Sequence, residues 1–168
     1  MSTKPTIVIA DDHPVYLIGL QQVLDQTGEF DLVGTAGNGL DALDLIRQKQ
    51  PDIALLDIDM PRMNAIRISE NIRAEQIKTK VIALTVNKDE ALFNQALEAG
   101  IHGYLLKENS ITDLLESIKT VLQGNFFFSS SVSSFLINRN ARPIEQDRKS
   151  RKLTKTEKKV MKMIAEGS

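Results

Sequence analysis

The sequence predicts an α/β fold: a doubly wound, five-stranded parallel sheet covered by helices on both faces. Two observations predict it. Five short apolar runs rich in β-branched residues recur between Thr6 and Leu106, each too short to be a helix. Segments with helical spacing of apolar residues separate and follow these runs, and parallel strands need such crossovers.

The first run is Thr6–Ala10, and His13-Pro14 opens the first helix behind it, with proline near the first turn, where a missing N–H costs little. The stretch Thr27-Gly28-Glu29-Phe30 closes that helix. The remaining runs are Asp31–Ala36, Ile53–Asp57, Lys80–Thr85 and Gly103–Leu106. The clearest helix follows the last of them, where Ile111, Leu114, Leu115, Ile118, Val121 and Leu122 form one stripe. Ser110 and Asp113 supply its start and Gly124 its stop. Residues 1–125 are read as one α/β domain of ordinary size.

Composition changes after Gly124. Residues 126–152 are expected to be a linker, basic and proline-containing toward its end. Phe126, Phe127 and Phe128 cannot all face one side of a regular element, so their rings are expected to pack on the α/β domain or on a short following helix; a dimer contact is the alternative. In 153–168, Thr154 and Glu157 make a capping box, with Leu153, Val160 and Ile164 on one side. One such helix cannot bury its apolar face alone, so it reads as the first helix of an incomplete domain.

The 168 residues carry a net charge of −1 and no cysteine, which excludes disulfides and thiolate metal sites and gives no overall pull toward nucleic acid or membrane. No apolar run reaches the length of a membrane span, and a soluble cytoplasmic protein is expected.

In doubly wound sheets, ligands sit outside the carboxyl ends of the strands. Asp11 and Asp12 follow the first run, Asp57 ends the third, Thr85 ends the fourth and Lys107 follows the fifth. Each alone has an ordinary role as a cap, turn, strand or surface residue. Together they converge on one rim, where crowded carboxylates repel unless a cation joins them; hard oxygen donors suit Mg2+.

From Thr6 to about Gly124 the chain resembles the receiver domain of bacterial two-component response regulators, matching Ala10-Asp11-Asp12, Leu55-Leu56-Asp57-Ile58-Asp59-Met60-Pro61, Ala83-Leu84-Thr85 and Gly103-Tyr104-Leu105-Leu106-Lys107 in order. The tail resembles the opening of a LuxR-type helix-turn-helix, and the whole resembles the NarL/FixJ class of transcriptional regulators. This resemblance implies a flavodoxin-like receiver fold and a set of roles. Asp57 would accept a phosphoryl group from a sensor histidine kinase. Asp12, Asp57 and the backbone carbonyl of Asp59 would hold Mg2+, with Asp11 acting through water. Lys107 and the Thr85 hydroxyl would stabilise the phosphoryl oxygens. Thr85 and Tyr104 would form the switch, Tyr104 turning inward on phosphorylation. The protein would not be an enzyme beyond its own phosphorylation and dephosphorylation. It would form homodimers when phosphorylated, through the face of the fourth helix, fifth strand and fifth helix or through that of the first and fifth helices. The full-length effector would bind DNA specifically, and these 168 residues alone would not.

Ala65 stands where the family usually has glycine, Val86 where a small residue is common and Glu108 where many receivers have proline. Two other functions are weighed. The Asp57-Ile58-Asp59 stretch also resembles the nucleophile motif of haloacid-dehalogenase-type phosphatases, but there the nucleophile ends the first strand, and here it ends the third. The other alternative is an interaction module that needs no phosphorylation.

Overall fold

In the computed structural model, residues 3–140 are described. Strands β1 (Thr6–Ala10), β2 (Asp31–Ala36), β3 (Ile53–Asp57), β4 (Lys80–Thr85) and β5 (Gly103–Leu106) have the predicted bounds. Helices α1 (Pro14–Thr27), α2 (Gly39–Lys49), α3 (Ala65–Ala74), α4 (Glu90–Glu98) and α5 (Ile111–Leu122) follow them in turn.

All strand pairs are parallel, in the order β2-β1-β3-β4-β5-β6, where β6 is Phe127–Phe128. Strand order reverses at β1, which pairs with both β2 and β3, so the crevice for a ligand opens at the carboxyl ends of β1 and β3.

Alternation along the strands divides the interior into two layers. Ile7, Ile9, Leu55 and Leu84 meet Leu20 and Leu24 of α1 and Leu114, Ile118 and Val121 of α5. Val8, Ala10, Leu56 and Ala83 meet the apolar faces of α2, α3 and α4 on the other side. The helix starts carry side-chain caps. The Asn38, Asn64, Asp89 and Ser110 side chains accept the backbone N–H of Asp41, Arg67, Leu92 and Asp113. Each satisfies an amide that the helix itself leaves unpaired. Gly28 closes α1 at φ 64°, a conformation that glycine adopts without steric cost.

The sheet has a sixth strand where five are expected. Phe127 N–H donates to the His102 carbonyl at 3.0 Å and Ser129 N–H to that of Tyr104 at 3.2 Å, so β6 extends the β5 edge. A two-residue strand has no periodicity to read, which is why the sequence shows only an aromatic run. Phe126 and Phe128 face the α4 side, and Phe127 faces the α5 side. Helix α6 (Ser130–Asn140) then lies against α4 and β5, burying Val132 and Leu136. Packed structure therefore continues past residue 125 into the stretch expected to be linker. The predicted helix at 153–168, with its Thr154–Glu157 capping box, and the basic segment from 141 to 152 lie outside the described residues.

Candidate functional site

The rim residues reach the crevice because each strand stops in step with its neighbours. Asp57 pairs with Leu84 across β3 and β4, and Thr85 with Leu106 across β4 and β5. Three backbone bonds tie these ends together: Asp11 N–H to the Ala36 carbonyl at 3.1 Å, Ile58 N–H to that of Leu84 at 2.8 Å and Lys107 N–H to that of Thr85 at 2.7 Å.

Asp11 and Asp57 are buried, at 1% and 3% exposure, while Asp12 lies at the mouth. Lys107 Nζ stands 2.6 Å from Asp11 Oδ2 and 3.4 Å from Asp57 Oδ2, and its side chain is only 8% exposed. One ammonium thus pairs with an oxygen of each buried carboxylate. Asp57 Oδ1 accepts the Asp59 N–H at 3.3 Å.

Burial, followed by the charge of Asp11, pushes the Asp57 carboxyl up to about 6; the Lys107 charge and the Asp59 N–H oppose that rise, and a hydrogen bond with Asp12 adds to it. One ammonium does not offset the burial of two carboxylates. A divalent cation would.

Ligand atoms of Asp11, Asp12, His13 and Asp57 lie within 4.8 Å of one another. Three carboxylates, two of them buried and sharing a single ammonium, form a hard donor set that fits a small divalent cation. The Asp59 carboxylate is not in this group; its side chain is exposed, and only its backbone reaches the site.

Thr85 is fully buried, and its Oγ1 accepts the Asn87 N–H at 3.2 Å, which leaves the hydroxyl proton available to donate. Tyr104 is already inward, at 1% exposure. Its ring meets Phe93 edge-on with centroids 5.1 Å apart, and among the described residues its hydroxyl has no hydrogen-bond partner. Burial, then Asp89 and Asp59, raises the Tyr104 phenol pKa.

The residues that depart from the family pattern are accommodated. Ala65 is buried at the start of α3, its N–H on the Ile58 carbonyl at 3.3 Å. The loop before it packs against Gly39, whose N–H bonds the Pro61 carbonyl at 3.2 Å and where a Cβ would collide with the Met63 carbonyl. The Val86 side chain points to solvent.

Two residues of the site escaped sequence reasoning. Tyr16 lies under Lys107, with Nζ 4.5 Å from its ring centroid, and burial, then Asp11 and Asp57, pushes its phenol up to about 12. His13 places Nδ1 3.0 Å from Asp11 Oδ1 and 3.1 Å from Asp12 Oδ1. A signal was present: α1 begins immediately after the paired aspartates, so its first turn must overhang them.

Comparison with known proteins defines the class. Residues 7–119 match the family model described as the response regulator receiver domain, and the chain belongs to that family. It is 33% identical to the transcriptional regulatory protein DegU of Brevibacillus brevis over 144 residues, covering 86% of this chain and 61% of DegU. It is 30% identical to the nitrate/nitrite response regulator protein NarL of Escherichia coli K12 over 163 residues, covering 96% of this chain and 76% of NarL. In the solved structure of two RcsB dimers bound to two parallel DNAs, the RcsB chain superposes with a TM-score of 0.74 at 25% identity, covering 99% of this chain and 79% of RcsB. Among the described residues no helix is long and apolar enough to cross a membrane.

Proposed function

We propose that this chain is the phosphorylation switch of a two-component transcriptional regulator, with Asp57 the phosphoryl acceptor. The observation that carries this reading is a buried carboxylate at the switch point of a parallel sheet, with an ammonium 3.4 Å away and further carboxylates on the adjoining strand end.

The donor is a phosphohistidine on a sensor kinase. An Asp57 oxygen attacks phosphorus in line; the P–N bond breaks, its electron pair returns to the donor imidazole, and an acyl phosphate forms. Little covalent chemistry falls to the protein beyond the nucleophile, so positioning and charge supply the catalysis. Asp12, Asp57 and the Asp59 carbonyl, with Asp11 through water, would hold Mg2+, which would supply positive charge to the phosphoryl oxygens. Lys107 is held in place by Asp11 and Tyr16 and turns its charge toward the new phosphoryl group. Thr85 donates its hydroxyl proton to a phosphoryl oxygen, drawing the loop after β4 inward.

Because the Tyr104 ring is already buried, the proposed switch changes what its hydroxyl meets and how tightly α4 holds Phe93, more than where the ring lies. Phe93 also touches Phe128 and Phe135, at centroid distances of 5.5 and 5.6 Å, so α6 is the next element to respond. Association between copies is assigned to the α1–α5 face, where Val15, Ile18 and Ile111 are exposed, since α6 covers the α4–β5 side. DNA is engaged by the whole protein, in line with the names of the relatives and the DNA-bound RcsB dimers.

Incubation with acetyl phosphate, followed by intact-mass measurement, tests the assignment. One phosphoryl group should appear in the presence of Mg2+, and none with chelator or in Asp57→Asn. Undiminished labelling of Asp57→Asn, or turnover of small phosphate esters, overturns the reading.

A further inference from the structure

Lys107 is where the pocket meets the body of α1. Its ammonium stands 2.6 Å from Asp11 Oδ2, 3.4 Å from Asp57 Oδ2 and 3.4 Å from His13 Nδ1, and 4.5 Å from the centroid of the Tyr16 ring. The first three are polar groups of the pocket, whose pull on the ammonium changes when charge is added there. The ring attracts the cation through its π face, an attraction that strengthens away from water. The Lys107 side chain is only 8% exposed and Tyr16 is half-buried, so the contact is largely shielded.

The turn of α1 that carries Tyr16 is lightly held. Among α1 to α5, α1 is the helix whose start has no side-chain cap, and its buried residues, Leu20 and Leu24, both lie beyond the first turn. Tyr16 and Lys107 also line a cavity of about 320 Å³ between α1 and α5, together with Leu20, Leu105 and Leu114. Gly19, one turn after Tyr16, lines the same cavity and leaves it unfilled: a Cβ there would meet nothing within 4 Å. The ring has space to follow the ammonium, and the first turn has little to resist it.

We infer that Tyr16 is a positioning residue for Lys107 and that, through it, phosphorylation of Asp57 is felt in the first turn of α1, by a route that does not pass through Thr85 and Tyr104. The inference rests on the proposed function and deepens it, because it gives the α1–α5 face its own link to the phosphoryl site. As Lys107 turns from Asp11 toward the phosphoryl oxygens, the ring beneath it follows. Val15, next to Tyr16 and 85% exposed, then moves relative to Ile111, which lines the same cavity from α5. Without the ring, the 2.6 Å pair with Asp11 is left to draw the ammonium away from the acceptor.

The test uses the full chain as parent, Tyr16→Leu and Tyr16→Phe, with two readouts. One is the rate of phosphorylation by acetyl phosphate with Mg2+, followed by intact mass. The other is hydrogen exchange, with and without beryllofluoride and Mg2+, at the amides of Leu17 to Leu20, which bond back into the first turn. Leucine keeps an apolar side chain and a good helix former but removes the π face, whereas phenylalanine keeps the face. Tyr16→Leu should be phosphorylated about threefold to tenfold more slowly and lose the exchange response in α1. Tyr16→Phe should stay within about twofold of the parent and keep that response. A Tyr16→Leu chain that retains either the parent rate or the α1 response, or a Tyr16→Phe chain that is as impaired as Tyr16→Leu, overturns the inference. So does a parent that takes up the phosphoryl group while α1 exchanges at an unchanged rate, a result that needs no variant. A parent that takes up no phosphoryl group overturns the proposed function and this inference together.

Discussion

The pocket at the strand ends and the aromatic layer at the far edge of the sheet are built from opposite materials. The first gathers Asp11, Asp12, His13, Asp57 and Lys107, whose charges are crowded together and only partly matched. The second stacks Phe93, Tyr104, Phe126, Phe128 and Phe135, from α4, β5, the residue before β6, β6 and α6, in edge-on, tilted and parallel contacts. Like charges held close respond strongly to one added group, while a packed layer transmits a shift because it resists compression. The two regions share β5, which carries Tyr104 into the layer and leads directly to Lys107 in the pocket. Under the proposed function, the chemical event falls in the first region and its mechanical consequence in the second.

Breaking the layer should have the largest effect. Phe93 is fully buried and touches Tyr104, Phe128 and Phe135, so Phe93→Ala removes the ring on which three others rest. Denaturant unfolding should show a loss of about 3–5 kcal/mol. A loss below about 1 kcal/mol would mean that the layer is not a packed unit.

The pocket should behave in the opposite way, because its ionised form is strained. With the Asp57 carboxyl raised from 3.8 to about 6, the folded chain binds more protons than the unfolded one across that window. Stability without metal must then fall as pH rises through it, by roughly 3 kcal/mol if Asp57 acts alone. Asp57→Asn removes the penalty, so at pH 7 with chelator it should melt roughly 6–12 °C above the parent, the gain fading below about pH 4. A variant that melts lower at pH 7, or whose advantage grows toward acid, would show that Lys107 offsets the burial of Asp57 more completely than the geometry indicates.

A smaller effect separates the two regions at their junction. The Tyr104 hydroxyl is buried without a hydrogen-bond partner among the described residues, so Tyr104→Phe should change stability by less than about 1 kcal/mol, toward a gain. A loss of more than 2 kcal/mol in thermal unfolding would assign the hydroxyl a structural bond.

The pocket was legible in the sequence because a strand end is a fixed place: once the parallel sheet is inferred, Asp11, Asp57, Thr85 and Lys107 can only emerge on one rim. His13 and Tyr16 were not read as site residues, although the same logic places the first turn of α1 above the aspartates. The aromatic layer was legible only in part. The run Phe126–Phe128 was expected to pack its rings inward, but its pairing with β5 is a long-range backbone contact with no local signal. Helix α6, with four serines in Ser130–Asn140, lacks a strong amphipathic stripe, and its place is set by the Phe93 and Tyr104 surface it covers. Tertiary contact overrides weak propensity there.

The central claim is that an event at Asp57 is felt in α6 through Tyr104 and Phe93. The direct test is amide hydrogen exchange of the full chain with and without beryllofluoride and Mg2+, in the parent and in Asp57→Asn. Exchange should change both in the loop from Val86 to Asp89 and in α6 of the parent, and in neither region of Asp57→Asn. A parent in which the loop responds while α6 exchanges at an unchanged rate would contradict the coupling.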